Sequence, residues 1–201
     1  MKKIGISLIG LMVATAAFAQ APDLQPSPKV KELAWMVGTW TGDVKFDMQG
    51  MKMESKSVMT CKFEGKFLHV YSTMDMMGMK MTESMYFGWD DSKKEYYSYA
   101  FTNMSTAPRF ERGNVTGKDF VTVSDPWQVD GSPEPTVSRA TMTRHSDTMI
   151  EFKLEFKEGE KWTVVGTGKF SKGGAVKGNA VKATPGIAVK PAQSLSNGGK
   201  P

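Results

Sequence analysis

The chain has 201 residues, of which 40% are hydrophobic and 23% charged, and its formal net charge is +5. This composition is typical of a globular domain with its own core, and the charge is too small to predict nucleic-acid binding. The single cysteine, Cys61, excludes an internal disulfide, so the core has to stabilise the fold.

The N-terminus has the three parts of a secretory signal peptide. Lys2 and Lys3 form the charged part, residues 4–17 are an apolar run, and residues 17–19 have the small-x-small pattern Ala-Phe-Ala. The run is too short to span a bilayer, and no cysteine lies near the cleavage site, so we expect no lipid anchor. We expect residues 1–19 to be removed, which leaves a periplasmic or secreted protein with a net charge of +3. No later segment predicts a membrane span.

A short helix follows a linker over residues 20–27. Ser27 suits the N-cap, Pro28 the first helical turn and Gly38 the end of the helix. The pattern predicts one helix that leads directly into the first strand.

Almost everything after the helix alternates between apolar and polar residues, in short runs separated by turn residues. The predicted strands are residues 39–48, 51–63, 66–76, 79–89, 95–103, 109–116, 119–124, 136–145, 149–156 and 162–170. Consecutive strands at this spacing predict an all-β fold, a single up-and-down antiparallel barrel over residues 28–170. Residues 171–201 are rich in Gly, Pro, Lys and Ser, which predicts a disordered basic tail.

Three predicted hairpins have glycine as the second turn residue, at residues 49–50, 64–65 and 77–78. A two-residue turn of this kind fixes the register of the strands beside it. The predicted pairs are Met48–Met51, Phe46–Met53, Val44–Ser55, Trp40–Met59, Cys61–Leu68, Met59–Val70, Met76–Met79, Met74–Met81, Ser72–Glu83, Val70–Met85 and Leu68–Phe87.

Side chains in a strand alternate between the two faces, so these pairs share the inner face of the barrel. The same register predicts that His69 and Tyr71 lie outside. An inner wall of Met, Phe and Val with a few polar groups predicts a cavity for an apolar small molecule. The residues expected to line that cavity are Trp40, Phe46, Met53, Ser57, Met59, Ser72, Glu83, Met85 and Phe87.

Glu83 is an inward carboxylate on this wall, and burying it without a partner would be costly. It either anchors the polar end of a ligand or a cation, or is satisfied by serines, water or an arginine such as Arg112 or Arg139.

The long connection over residues 125–135 is predicted to be a lid, with Trp127 as its apolar contact. By strand count it lies at the same end of the barrel as the hairpin turns at residues 49–50 and 77–78.

A seven-residue motif at residues 47–53 recurs at residues 75–81, as Asp-Met-x-Gly-Met-Lys-Met. The copies are two strands apart, so both hairpin tips are predicted to meet at one rim of the barrel. Thioethers suit Cu(I) or Ag(I), which makes a soft-metal site one interpretation. The other is that methionine supplies an adaptable apolar mouth or fills the barrel end. The candidate metal ligands are Met48, Met51, Met76, Met79 and Met104.

Gly38-Thr39-Trp40, after a short helix, resembles the start of calycin barrels, the lipocalin-like superfamily. Two longer segments of the chain are LAWMVGTW and GMKMTESMYFGWDDSKKEYYSYAFTNMSTA. With these segments, the sequence from Leu33 to about Phe170 resembles the bacterial family of unknown function DUF1579. The resemblance implies a ligand-binding barrel and supplies no catalytic residues. Nitrobindin, a haem-binding relative, begins similarly, but its late axial histidine has no match in His145, which lies in a polar turn. Haem is therefore not expected.

Enzyme chemistry has little support in the sequence. The two histidines lie on different elements, Cys61 is inward where a thiol is inert, and no phosphate loop, zinc spacing or paired-carboxylate motif is present. We expect a non-enzymatic protein that binds an apolar small molecule. Cu(I) or Ag(I) binding at the rim, and a filled barrel that acts through its surface, are the alternatives.

Overall fold

The computed structural model of the protein describes residues 24–48, 50–76 and 78–173. The predicted signal peptide, and the predicted tail beyond Gly173, lie outside the described residues. A short helix, α1, covers Pro28–Lys31 and continues as a 3-10 turn over Glu32–Met36. The strands are β1 Gly38–Met48, β2 Met51–Glu64, β3 Phe67–Met76, β4 Met79–Asp90, β5 Glu95–Thr102, β6 Arg109–Thr116, β7 Asp119–Ser124, β8 Ser138–Arg144, β9 Met149–Glu158 and β10 Lys161–Lys172.

The ten strands form a closed antiparallel barrel in which each strand pairs with its neighbours in the chain, and β10 pairs with β1. This is the up-and-down barrel that the sequence predicts. Strand β10 continues to Lys172, beyond the residue where the sequence predicts the tail to begin. Closure pairs every strand on both sides, so the described barrel has no exposed sheet edge.

Residues 28–36 cover one end of the barrel, which we call the helix end. The Ser27 hydroxyl caps α1 by accepting a hydrogen bond from the Val30 amide at 3.2 Å, as the sequence predicts. The indole of Trp40 donates to the Met36 carbonyl at 2.7 Å, and the Tyr96 hydroxyl donates to the Lys29 carbonyl at 2.7 Å. These bonds fasten the helix across the barrel. Within the described residues, no helix is long and apolar enough to cross a membrane.

The first and third hairpins have the register that their glycine turns predict, including the pairs Phe46–Met53 and Ser72–Glu83. The predicted register of the second hairpin is wrong by two residues, because Met59 pairs with Ser72 and not with Val70. The reason is that Gly65, with φ of +56°, takes the first position of the turn and not the second. A shift of two residues preserves the faces, so the inward set is unchanged.

The apolar core lies toward the helix end. Its largest fully buried members are Trp40, Tyr96, Leu33, Met36, Leu68 and Ile150. The two glycines Gly42 and Gly113 allow close approach of neighbouring strands here, since a Cβ on Gly113 would lie 1.9 Å from the Val121 carbonyl oxygen. The core therefore closes this end of the barrel.

Candidate functional site

The candidate site lies inside the barrel, toward the end opposite the helix. Three inward positions on adjacent strands supply polar groups there: Ser57 on β2, Ser72 on β3 and Glu83 on β4. Strand β6 faces them with Arg109 and Glu111, whose side chains point inward because they pair with the buried residues Ala100 and Ser98. Alternation along five neighbouring strands thus collects charged groups in one interior.

Arg109 links two carboxylates. Its Nη2 donates to Glu83 Oε1 at 2.7 Å and its Nε donates to Glu111 Oε1 at 2.6 Å. Burial alone would lower the pKa of Arg109, but the attraction of the two carboxylates outweighs burial and raises it. The guanidinium is therefore held charged, with an 11% exposed side chain, between two acidic groups.

Glu111 is the most buried charged side chain of the group, at 2% relative exposure. Its second oxygen accepts from the hydroxyls of Thr122 at 3.0 Å and Ser98 at 3.3 Å. We call Glu83, Arg109, Glu111, Ser98 and Thr122 the interior polar network. Among the described residues, no buried side-chain nitrogen or oxygen lacks a hydrogen-bond partner, so the buried atoms of the network are all satisfied.

An arginine was one of the partners that the sequence allowed for Glu83, and the structure shows that it is Arg109 and neither of the two examples named, Arg112 and Arg139. Arg112 lies on the outer face with Glu95 and Asp125, and Arg139 lies on the outer face with Glu155 at 2.7 Å. Arg109 precedes Arg112 by three positions, so strand alternation puts the two side chains on opposite faces.

Trp127, from the connection between β7 and β8, lies over the network. Its ring centre is 4.8 Å from the Arg109 guanidinium, and its indole donates to the Ser138 hydroxyl at 3.1 Å. The same connection is held to the β5–β6 connection, where the Asp130 amide donates to the Met104 carbonyl at 2.9 Å. The connection thus covers the end of the barrel opposite the helix; its opening and closing as a lid stays a prediction.

The predicted cavity residues fall into two groups. Trp40, Phe46, Met59 and Phe87 are buried in the apolar core, and Ser57 is buried on the inner wall. The others face inward and are only partly buried: Met53, Ser72, Glu83 and Met85. The partly buried group lies on β2, β3 and β4.

The predicted methionine rim is set by the hairpin registers. Met48 pairs with Met51 at the end of β1, and Met76 pairs with Met79 at the end of β3. Met51 and Met79 are 56% and 59% exposed. Pairing between β2 and β3 stops at Ser57 and Met74, so the first hairpin, β1–β2, extends past the third hairpin, β3–β4. We call this end of the barrel the methionine rim, with Met104 in the next connection on the same side.

One outer-face cluster was missed by the sequence reasoning. His69 Nε2 lies 2.7 Å from the Ser84 hydroxyl and His69 Nδ1 lies 3.0 Å from Glu64 Oε2, while the Tyr86 ring stacks on the imidazole with centroids 4.4 Å apart. This Ser-His-Glu order is that of a hydrolase triad. The register could have indicated it, because His69 pairs with Tyr86 and lies beside Ser84 on the same face.

Two other candidate groups lie away from the interior polar network, Cys61 in the apolar core and His145 on the surface. Burial raises the pKa of the Cys61 thiol to about 12, which keeps it protonated and unreactive. His145 contacts Glu151 at 3.0 Å on the helix-end surface. No group of three or more His, Cys, Asp or Glu side chains in the described part of the chain could hold a metal ion.

Two surface depressions are open to solvent and lie away from Glu83. One follows β1, β2 and β10 beside Phe46 and Met53, and the other lies at the helix end beside Trp35 and His145. Neither is lined by a member of the interior polar network.

These features define a closed, ten-stranded up-and-down β-barrel protein with charged groups in its interior. The chain belongs to DUF1579, a family of proteins of unknown function, whose model matches residues 25–172. Among solved structures, the chain is similar to the crystal structure of Rv2717c from M. tuberculosis, with a TM-score of 0.61 and 13% identity over 74% of this chain and 99% of that one. At this identity the similarity shows the fold alone. No curated protein matches the chain significantly. The similarity to nitrobindin stays a prediction.

Proposed function

We propose that the protein is a non-enzymatic binding protein that holds an apolar small molecule inside the barrel, next to the interior polar network. One observation carries this proposal: several inward-facing apolar side chains are only partly buried. They are Met53, Met74, Met85, Met142, Phe152 and Leu154. Inward side chains of a filled barrel would be close-packed and fully buried, so partial exposure supports open space between them.

The chemistry of the wall fits such a ligand. Methionine thioethers and one phenylalanine form an adaptable apolar surface, as in sites that accept ligands of varied shape. Ser57, Ser72 and Glu83 add a few polar atoms that would orient one end of the molecule. The protein is further proposed to act in the periplasm or outside the cell, on the evidence of the N-terminal signal pattern.

The outer-face Ser84–His69–Glu64 cluster does not favour catalysis. Acyl transfer needs hydrogen-bond donors aimed at the developing oxyanion, usually backbone amides. Ser84 and Met85 lie within β4, which is paired on both sides, so their backbone groups are part of sheet ladders. We therefore interpret the cluster as a structural hydrogen-bond chain under Tyr86.

The proposed cavity is tested by binding of N-phenyl-1-naphthylamine, a neutral apolar dye whose fluorescence rises in apolar sites. We expect the mature protein to bind the dye, and Ser72→Phe to reduce its affinity at least about tenfold, because the ring would occupy the space opposite Glu83. The matched control is Thr73→Phe, the next residue of β3, whose side chain is on the outer face. Equal binding by both variants, or no binding by the native protein, would show that the barrel is filled at this position.

Soft-metal binding at the methionine rim is a second candidate, favoured by the facing pairs Met48–Met51 and Met76–Met79. Directly opposed residues have Cβ atoms about 5 Å apart, which allows two sulfurs to share one ion. Native mass spectrometry with Ag(I), under reducing conditions, is expected to show about one bound ion for each facing pair if the rim is a site. Changing these four residues to Leu should remove this uptake. Uptake that survives the substitutions, or no uptake at all, would contradict a rim site.

A further inference from the structure

The interior polar network carries a net negative charge. Two carboxylates, Glu83 and Glu111, face one guanidinium, Arg109, at 2.6–2.7 Å. Two lysines that contact aromatic rings of the core lie elsewhere: the Nζ of Lys172 is 5.1 Å from the centre of the Trp40 ring, and that of Lys29 is 5.4 Å from the centre of the Trp89 ring. Among the described residues, no cation other than Arg109 forms an ion pair with Glu83 or Glu111, so one negative charge remains without a compensating partner in the part of the interior that faces the methionine rim. Charges in such a low-dielectric space interact more strongly than in water.

Glu83 has one carboxylate oxygen that no described residue binds. Arg109 engages Oε1, and the side chain keeps 27% of its exposure although it points into the barrel. Because no buried side-chain oxygen of the described residues lacks a partner, Oε2 must contact accessible space. That oxygen is an unused, charged hydrogen-bond acceptor inside the barrel.

Ser57 and Ser72 add further unused acceptors on the neighbouring strands. Ser57 is only 3% exposed and faces inward, and its hydroxyl has no hydrogen bond to any described residue. Ser72 is paired directly with Glu83 in the register and is likewise without a hydrogen bond among the described side chains. By the same reasoning, both hydroxyls contact accessible space, and they lie on the same inner wall as Glu83. A buried polar group without a protein partner is normally satisfied by water or a ligand.

Arg109 leaves one of its three guanidinium nitrogens, Nη1, for an anion. Its Nε and Nη2 are occupied by the two carboxylates, and one face of the guanidinium is covered by the Trp127 ring. A ligand carboxylate would have to approach Glu83 and Glu111 and would be repelled by both. A cationic hydrogen-bond donor would instead be attracted by both carboxylates.

We infer that the ligand of this barrel is an apolar molecule whose polar end is a positively charged hydrogen-bond donor, such as a primary ammonium group, bound by the free oxygen of Glu83. The inference rests on the proposed function. The ammonium donates to Glu83 Oε2 and to the Ser72 and Ser57 hydroxyls, and the alkyl or aryl body lies along the inward methionines. Such a bond is charge-assisted, and charge-assisted hydrogen bonds are the strongest that proteins form with ligands.

The test compares decylamine, decanol and decanoate as competitors of N-phenyl-1-naphthylamine at neutral pH, each below its micelle concentration. The three have the same length of chain and differ in their charge. We expect decylamine to displace the dye at about tenfold lower concentration than decanoate, with decanol between them. In Glu83→Gln, which keeps the size of the side chain, the three curves should converge. The matched control is Glu54→Gln, an exposed outer-face carboxylate that should leave the order unchanged.

The outcomes separate the two claims. Equal competition by the three compounds, or stronger competition by decanoate, would overturn the inference while leaving an apolar cavity in place. An order that persists in Glu83→Gln would also overturn it, because the selectivity would then come from another group. Failure of the dye and all three competitors to bind would overturn the proposed function itself. The order of the three competitors on the native protein shows by itself whether the site prefers a positive or a negative ligand, even if Glu83→Gln folds poorly.

Discussion

Replacement of Arg109 by methionine is expected to lower the free energy of unfolding by about 3–5 kcal/mol. Without the guanidinium, Glu83 and Glu111 remain in the barrel as like charges with no cation between them. The penalty is that of uncompensated buried charge, which exceeds the net stabilisation that the intact network supplies. Urea unfolding followed by far-UV circular dichroism measures the loss, with an unchanged slope if the fold is retained.

The control for this substitution is Arg112→Met, on the same strand and the opposite face. Arg112 is 39% exposed and its ion pairs with Glu95 and Asp125 lie in water. We expect a loss of no more than about 1 kcal/mol there, because exposed ion pairs contribute little. Equal effects of the two variants would mean that the interior network contributes no more to the free energy of unfolding than an exposed ion pair does.

Replacement of Trp40 by alanine is expected to cost about 3–5 kcal/mol, the range for large buried side chains that leave a cavity. Trp40 is fully buried, donates a 2.7 Å hydrogen bond to the Met36 carbonyl, and lies beneath Lys172. Its loss removes core packing and the bond that holds the helix end closed. Differential scanning calorimetry is the direct measurement, and hydrogen exchange should rise at residues 28–36.

Trp162→Ala is the matched control for Trp40→Ala. Trp162 lies on the outer face of β10, where the Arg139 guanidinium is 4.4 Å from its ring centre. We expect a loss of about 1–2 kcal/mol, because a partly exposed ring contributes a cation–π contact and little packing. A similar loss in both variants would contradict the assignment of the core to the helix end.

Local features of the sequence predicted most of the barrel. Alternation of apolar and polar residues marked the ten strands, and glycine turns set the first and third hairpin registers correctly. Both signals are short-range: side chains alternate with a period of two, and only a few residue types adopt a positive φ in a tight turn. The second hairpin differed because Gly65 can occupy either turn position, and the local sequence does not distinguish them.

Contacts between strands that are distant in sequence were decided by tertiary structure. The sequence placed Glu83 inside the barrel, but the choice of Arg109 as its partner depends on β6 facing β4 across β5. The His69–Ser84–Glu64 cluster and the position of Lys172 over Trp40 were likewise missed.

By itself, therefore, the sequence determined the strands, their order and the inward residues, because these follow from period and turn chemistry. Only the closed barrel decided which charges meet in its interior and which polar atoms remain unpaired there. Those depend on how far each strand is shifted along its neighbour when the sheet closes, a property of the whole barrel that no single segment carries.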